Sequence, residues 1–545
     1  MKSMESRKGG SEVSMKLKRL PAILIILAVT AEMLPCTVLA FESDKGPEIT
    51  AITKTVLPED DRANSGGNVT GITGDIKWSL NEETKTLTIS PKNKKKKASM
   101  PDFTYFGAPW SNYYFVIENV VISNGITNVG GYAFCDCTFL KSVKLPSGIK
   151  KIGQSAFART RIEKIHIPNT VTSIEKWAFY DCTGLTNLSL PNGVKTVGEA
   201  AFAGCDGLYS VTLPKTVTKI GSEAFDGCEK LETVEILGPA DIGSYAFRKA
   251  GALSILKLAK GVRSIGNSAF EGCHSLTSLT VPGSVVSIGD YAFESCSGLI
   301  KLTIQDGVRK IGSFAFEDCY SLQSVSVPGS VSVIDTGAFS YCTGLVTVKI
   351  QRGVTAIGDR AFENCTMLEN LTIPYGVRTI GRIAFTENIS LTEVTIPSSV
   401  TEIGYSAFCA CKNLKKVNIS QEMLDKTDAS AWAGCPADFD LNILQDNPVK
   451  IKGKSVTVRS KALKKKNQTI PASGAFSVNM KDQELLFVKV SGNSNITVNS
   501  NNGKVTVKKK LKKGTYKVKV KVMAVGNGNY KASGWKTVTV RIKVK

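Results

Sequence analysis

Ile288-Gly289-Asp290-Tyr291-Ala292-Phe293-Glu294-Ser295-Cys296-Ser297-Gly298-Leu299, continuing to Leu302-Thr303-Ile304, decides the fold, because the chain writes this unit again and again. Its Ala-Phe pair recurs with the aromatic ring at Phe134, Phe157, Phe179, Phe202, Phe225, Phe247, Phe270, Phe293, Phe316, Phe339, Phe362, Phe385 and Phe408. The intervals are 23 residues, with two of 22, and a degenerate fourteenth copy carries Trp432 in the same place. Self-similarity at such a period marks a solenoid, in which one unit cannot bury its own apolar face and stacking of neighbours makes a continuous core.

Each part of the unit has a physical reading. Leu391 to Pro397 alternates apolar and polar residues, so it is a short strand that the proline ends by removing a ladder donor. The Ile-Gly pair marks a second tight corner, where glycine permits a backbone that other residues resist. The Ala-Phe segment suits a brief helical turn with its ring aimed inward. At about 4.8 Å per coil, thirteen coils predict a rod roughly 60 Å long. The fold class is therefore mainly β: a solenoid of 13–14 coils with short strands and short helical turns, spanning residues 126–440.

One strand position faces outward in every coil: Lys144, His166, Ser189, Thr212, Glu235, Lys257, Thr280, Thr303, Ser326, Lys349, Thr372, Thr395 and Asn418. The column is mostly small and polar with scattered charge. Such a face can hydrogen-bond an extended partner, and it equally suits an inert spacer that only stays soluble.

Charge divides the chain. Residues 446–545 hold 24 Lys and Arg against 3 Asp and Glu, a net of +21, while residues 41–445 hold 39 against 41. Almost the whole excess of +22 thus sits at the end, where alternating runs such as Tyr516 to Val522 and turns such as Asn501-Asn502-Gly503 predict a β-sandwich. Lys508, Lys509, Lys510, Lys512, Lys513, Lys517, Lys519 and Lys521 are its candidate polyanion-binding residues. Anionic cell-wall polymers are the expected partners and a merely solubilising module is the alternative. Nucleic acid is disfavoured, because no basic motif is interleaved with aromatics.

The first 40 residues read as an export signal. Lys16, Lys18 and Arg19 precede the apolar run Leu20–Val29, and Val38-Leu39-Ala40 suits cleavage after Ala40. Met15 is an alternative start, and Cys36 follows a proline that makes a poor lipoprotein box. Residues 41–72, rich in Gly, Asn, Asp and Thr, read as a flexible leader, and no later apolar run is long enough to span a bilayer.

Eleven of the 14 cysteines stand three residues after the repeat aromatic. A fixed point of every coil places their side chains in parallel, whereas disulfides need facing Cβ vectors. Thr160, Ala250 and Asn388 replace the cysteine in single coils, so the ladder reads as buried free thiols. Cys135-Asp136-Cys137 and Cys409-Ala410-Cys411 lack the second pair or histidine that a zinc site needs. Only two histidines occur, His166 and His274, with no nucleophile motif beside either. Neither catalysis nor a cofactor or metal is expected.

The repeat, Ile-Gly-x-x-Ala-Phe-x-x-Cys-x-x-Leu-x-x-Val-x-Ile-Pro, resembles the BspA-type leucine-rich repeats of bacterial surface proteins over about residues 126–420. The likeness extends upstream, where Gly74 to Leu80, Leu87-Thr88-Ile89 and Ala108-Pro109-Trp110 look like that family's N-terminal β cap, read at 73–125. Leu511 to Tyr516 and Gly528 to Ala532 look like the immunoglobulin- or cadherin-like modules of clostridial surface proteins. These resemblances imply a secreted, surface-associated, adhesin-like protein that recognises proteins or glycans of a host or neighbouring cell. A structural envelope component without a ligand is the alternative.

Overall fold

The computed structural model describes residues 68–480, 483–509 and 511–545. The export signal read at 1–40 and most of the leader read at 41–72 lie outside them, as does Lys510. Strands β1 (Asn68–Thr73), β2 (Ile76–Asn81) and β3 (Thr86–Pro91) form an antiparallel meander, and β4 (Asn119–Ile122) adds to β3 in parallel. The first strand therefore begins inside the stretch read as leader. Its glycine is not a loop signal: a Cβ on Gly71 would come within 2.6 Å of the Trp78 ring that crosses it.

From β4 onward every coil gives one strand of two to four residues to a parallel ladder, ending at Lys416–Ile419 and Asp440–Ile443. A second ladder of two-residue strands runs unbroken through thirteen coils, from Asn128–Val129 to Glu402–Ile403. The main ladder is interrupted three times, first between Lys164–Ile165 and Asn187–Ser189, directly after a 22-residue coil. Between the two ladders the thirteen phenylalanines are buried, their rings stacked with centroids 5.1–5.4 Å apart. Trp110 continues the stack at its start, 5.7 Å from Phe134, and donates its Nε1–H to the Ala133 carbonyl at 2.7 Å. Trp432 continues it at the far end, 4.9 Å from Phe408.

The helical turn expected around Ala-Phe does not form. Two residues of each coil, two before and two after the phenylalanine, stand in the left-handed region: Tyr291 at φ 58° and Ser295 at φ 55° around Phe293, for example. A left-handed residue turns the next amide out of the helical direction. Alternate N–H groups consequently point along the rod, Tyr291 to the Ser313 carbonyl, Phe293 to Ala315 and Ser295 to Glu317, at 2.8–2.9 Å. Left-handed backbone is costly for residues with a Cβ, and these axial bonds offset that cost coil by coil. The Ile-Gly corner also needs a different explanation. Gly289 is not left-handed; a Cβ there would lie 2.6 Å from the Asn267 amide nitrogen of the previous coil. Glycine is required for room.

Residues after Val449 bury a second core, distinct from that of the solenoid. Strands β5 (Ser455–Val458), β6 (Leu485–Ser491), β7 (Gly514–Ala524) and β8 (Lys536–Val544) form one sheet in the order β5-β8-β7-β6, beside two smaller sheets. This module is fastened to the last coils by several bonds. Ala532 donates its amide to Ser398 Oγ at 3.0 Å, Asn442 Nδ2 donates to the Gly528 carbonyl at 2.7 Å, and Arg352 pairs with Glu484 at 2.5 Å.

Truncating one rung should show the one-dimensional character of the core. Phe293→Ala is expected to cost about 3–5 kcal/mol. The accompanying loss of amide hydrogen-exchange protection should be confined to the coils of Phe270, Phe293 and Phe316 and their immediate neighbours. Uniform loss along the whole rod would contradict nearest-neighbour stabilisation.

Candidate functional site

The outward strand positions form a polar column along the solenoid. Lys144, Ser189, Thr212, Lys257, Thr280, Thr303, Lys349 and Thr372 are exposed, as is His166, one residue beyond its two-residue strand. Glu235, Ser326 and Thr395 are half-buried. Glu235 is held by Lys257 of the next coil at 2.5 Å, and Ser326 accepts from Gln351 Nε2 at 3.1 Å. Asn418 is a correction. It is fully buried, donating to Glu393 Oε1 and Thr395 Oγ1 and accepting from Asn442, because the following strand and the Gly528 loop of the C-terminal module close over it.

A second column, two residues earlier in each coil, was not singled out from sequence. It includes Ser142, Asn187, Ser210, Ser278, Lys301, Ser324 and Asn370, and the parallel register sets Ser278 beside Lys301 and Thr280 beside Thr303. The signal for it was available, since residues i and i+2 of a strand share a face. Together the two columns make a strip dominated by hydroxyl and amide groups.

The turn side of the rod carries a different chemistry. Glu271, Glu294 and Glu317 each follow a phenylalanine in three successive coils and are half-buried. Burial, and then the neighbouring charges of Glu271, Glu317 and Asp318, push the Glu294 carboxyl up to about 7. Tyr291 and Phe314 stack beside them, centroids 5.1 Å apart.

The cysteine ladder does more than fill space. Each ladder thiol from Cys182 to Cys435, Cys409 standing outside the ladder, donates to the carbonyl of the phenylalanine one coil earlier, as Cys205 to Phe179 at 3.2 Å and Cys319 to Phe293 at 3.5 Å. Asn388, standing in for cysteine, makes the same bond to Phe362 at 2.9 Å. Burial pushes up the thiols of Cys182, Cys205, Cys228, Cys273, Cys319 and Cys365, Cys182 to about 12. The described cysteines are all free. Cys135 lies against Asp136 at 3.4 Å, and burial first and the Asp136 charge second raise its thiol. Among the described residues no group of three His, Cys, Asp or Glu side chains could hold a metal ion. His274 has its Nδ1 2.9 Å from the Ser295 carbonyl and 3.4 Å from Ser297 Oγ.

In the C-terminal module the predicted lysines separate. Lys517, Lys519 and Lys521 alternate with buried Val518, Val520 and Val522 on β7, all three projecting from one face. Lys508, Lys509, Lys512 and Lys513 are exposed around the connection that leads into β7.

A family model described as "BspA type Leucine rich repeat region (6 copies)" matches residues 111–232, 240–369 and 333–452. Among solved structures, a leucine-rich repeat protein from Bacteroides ovatus is 23% identical, covers 69% of this chain and 100% of its own, and superposes with a TM-score of 0.54. A leucine-rich repeat protein from Eubacterium ventriosum is 22% identical, with 63% and 95% covered and a TM-score of 0.36. A leucine rich cell surface protein from Faecalibacterium prausnitzii is 24% identical, with 70% and 96% covered and a TM-score of 0.30. At these identities the likeness to the first structure is one of fold. No curated protein matches the chain. No helix among the described residues is long and apolar enough to cross a membrane.

The raised Glu294 carboxyl sets a sign for pH dependence. Its folded value lies above the ordinary 4.5, so the stability it adds is complete below that value and is lost as pH rises through about 7. The melting temperature should therefore fall between roughly pH 5 and pH 8. Glu294→Gln should flatten that slope and raise the melting temperature at the alkaline end, as thermal scans across pH would read.

Proposed function

The chain belongs to the BspA-type leucine-rich repeat family, its family model matching well over half of the residues, and from that premise we propose that it is an adhesin-like binding protein of the bacterial surface. The solenoid holds out a recognition strip for protein or glycan partners of a host or neighbouring cell. The N-terminal meander closes the first coil as a cap. The C-terminal module is an immunoglobulin-like sandwich that retains the protein at the envelope through anionic wall polymers. No catalytic role is assigned.

The observation that supports this reading best is the doubled column of outward hydroxyl and amide groups, repeated at coil spacing on a scaffold whose core is continuous from Trp110 to Trp432. A repeating rigid strip offers many weak hydrogen bonds in register, and an extended partner can sum them. Hydrogen bonds of roughly 0.5–1.5 kcal/mol each become an affinity only when several are made at once. Since Asn418 and part of Thr395 are covered, the open strip ends near Thr372.

Binding of the full chain to a panel of matrix proteins and glycans tests the solenoid. Thr280→Arg with Thr303→Glu should abolish any specific binding and leave the melting temperature within about 1 °C, because both residues are exposed and the two new charges are opposite. Binding to nothing on the panel would favour the structural envelope component. Washing cells at increasing ionic strength tests the module separately: charge-based retention requires release as salt rises.

A further inference from the structure

We propose that the outer face of the sheet β5-β8-β7-β6 is a binding track for an unbranched polyol-phosphate chain, and that this face, not the lysines leading into β7, holds the polymer. The inference rests on reading the module as a charge-based retention device.

The register of the sheet places the cations. Lys517 stands directly opposite Arg541, and Arg541 has Ser455 on its other side. Lys543 faces Thr515 and Thr457, Lys519 faces Thr539, and Lys521 lies between Thr537 and Val488. The opposite face of the same strands is buried, with Val518, Val520, Val522, Val540 and Ile542 inaccessible to solvent. Five cations therefore share one surface, with strands about 4.8 Å apart and like-facing residues about 6.8 Å apart along each strand.

Nothing described in the module neutralises them. Residues 446–545 contain three acidic side chains, Asp446, Asp482 and Glu484, of which Asp482 lies outside the described residues. Asp446 pairs with Lys531 at 3.3 Å and Glu484 with Arg352 of the solenoid at 2.5 Å. Like charges directly across a strand pair are destabilising, so the Lys517–Arg541 juxtaposition is a liability in the free module. An anion lodged between the two removes it.

The chemistry of the remaining positions narrows the ligand. Thr515, Thr537, Thr539 and Thr457 interleave hydroxyl donors with the cations. None of the four strands puts an aromatic ring on this face. Single-stranded nucleic acids bind by stacking their bases on such rings, and a four-stranded sheet is wider than the helix or two-stranded ribbon that a duplex major groove admits. A thin chain with a phosphate in every repeat and no base needs only what the face supplies.

Full-length protein is titrated with poly(glycerol phosphate), and in parallel with a sulfated glycosaminoglycan and with oligo(dT). Two variants each remove four charges: Lys517→Gln, Lys519→Gln, Arg541→Gln and Lys543→Gln together, or Lys508→Gln, Lys509→Gln, Lys512→Gln and Lys513→Gln together. The face variant should lose at least ~10-fold in affinity for the polyol phosphate and flatten the slope of log affinity against log salt, whereas the other should lose less than ~3-fold. The face variant should also melt no lower than the parent chain, since repulsion is relieved. Arg541→Glu alone, which sets an acid opposite Lys517, should raise the melting temperature and weaken the polymer, a combination that misfolding cannot produce. Equal losses in the two quadruple variants would overturn the track and leave charge-based retention standing. Absence of binding by the parent chain to any polyanion would overturn both. Tighter binding of oligo(dT) or of the sulfated glycan would overturn the polyol-phosphate assignment.

Discussion

Every coil depends on the stack of aromatic rings. A phenylalanine here is buried by the ring before it and the ring after it, at 5.1–5.4 Å, and by little else that is aromatic. That makes its stabilisation a property of pairs of coils, and it makes the two ends a problem. The ends are met by larger rings. Trp110 and Trp432 each cover one face of a terminal phenylalanine, and each is backed by a further aromatic, Trp78 on one side and Phe439 on the other. A tryptophan at a terminus covers more area than a phenylalanine and brings an N–H that can be tied down, as Trp110 is to Ala133.

The backbone is organised by the same axial direction. Two left-handed residues per coil rotate alternate amides onto the rod axis, and the cysteine thiol then donates to the phenylalanine carbonyl of the coil before. A buried carbonyl is thus satisfied without a helix. This explains why asparagine can replace cysteine at position 388 while keeping the bond to Phe362. Thr160 donates instead to Phe157 in its own coil, and the Phe134 carbonyl keeps only the Cys137 amide. Ala250 brings no side-chain donor, and the Phe225 carbonyl keeps only the Cys228 amide.

These bonds also mark where sequence reading stops. The period, the inward ring and the alternating strand were legible because each is fixed by residues within one unit and is restated thirteen times. The turn around Ala-Phe was misread as helical because local propensity does not record that the amides' partners lie 21 to 23 residues away. Gly289 was assigned to a special backbone when its neighbour in the previous coil is what excludes a side chain. Asn418 looked outward by strand parity, and the following strand together with the loop around Gly528, over a hundred residues later, covers that position. The second outward column needed no tertiary knowledge and follows from parity alone.

The junction shows how a neutral rod and a cationic module are joined without a large apolar contact between them. The two cores remain separate clusters, and the bonds across them are polar: backbone to Ser398, amide to the Gly528 carbonyl, and a strand-like pairing of Gln445 with Tyr530. Glu484, one of the module's few acids, is spent on Arg352 of the solenoid, where burial would otherwise penalise the guanidinium and does lower its affinity for the proton. Committing a carboxylate to the junction leaves the lysine face of β7 and β8 less neutralised than the composition of the module would allow. Docking and exposed positive charge are therefore coupled: one of the contacts that fix the module beside the solenoid occupies one of its few carboxylates.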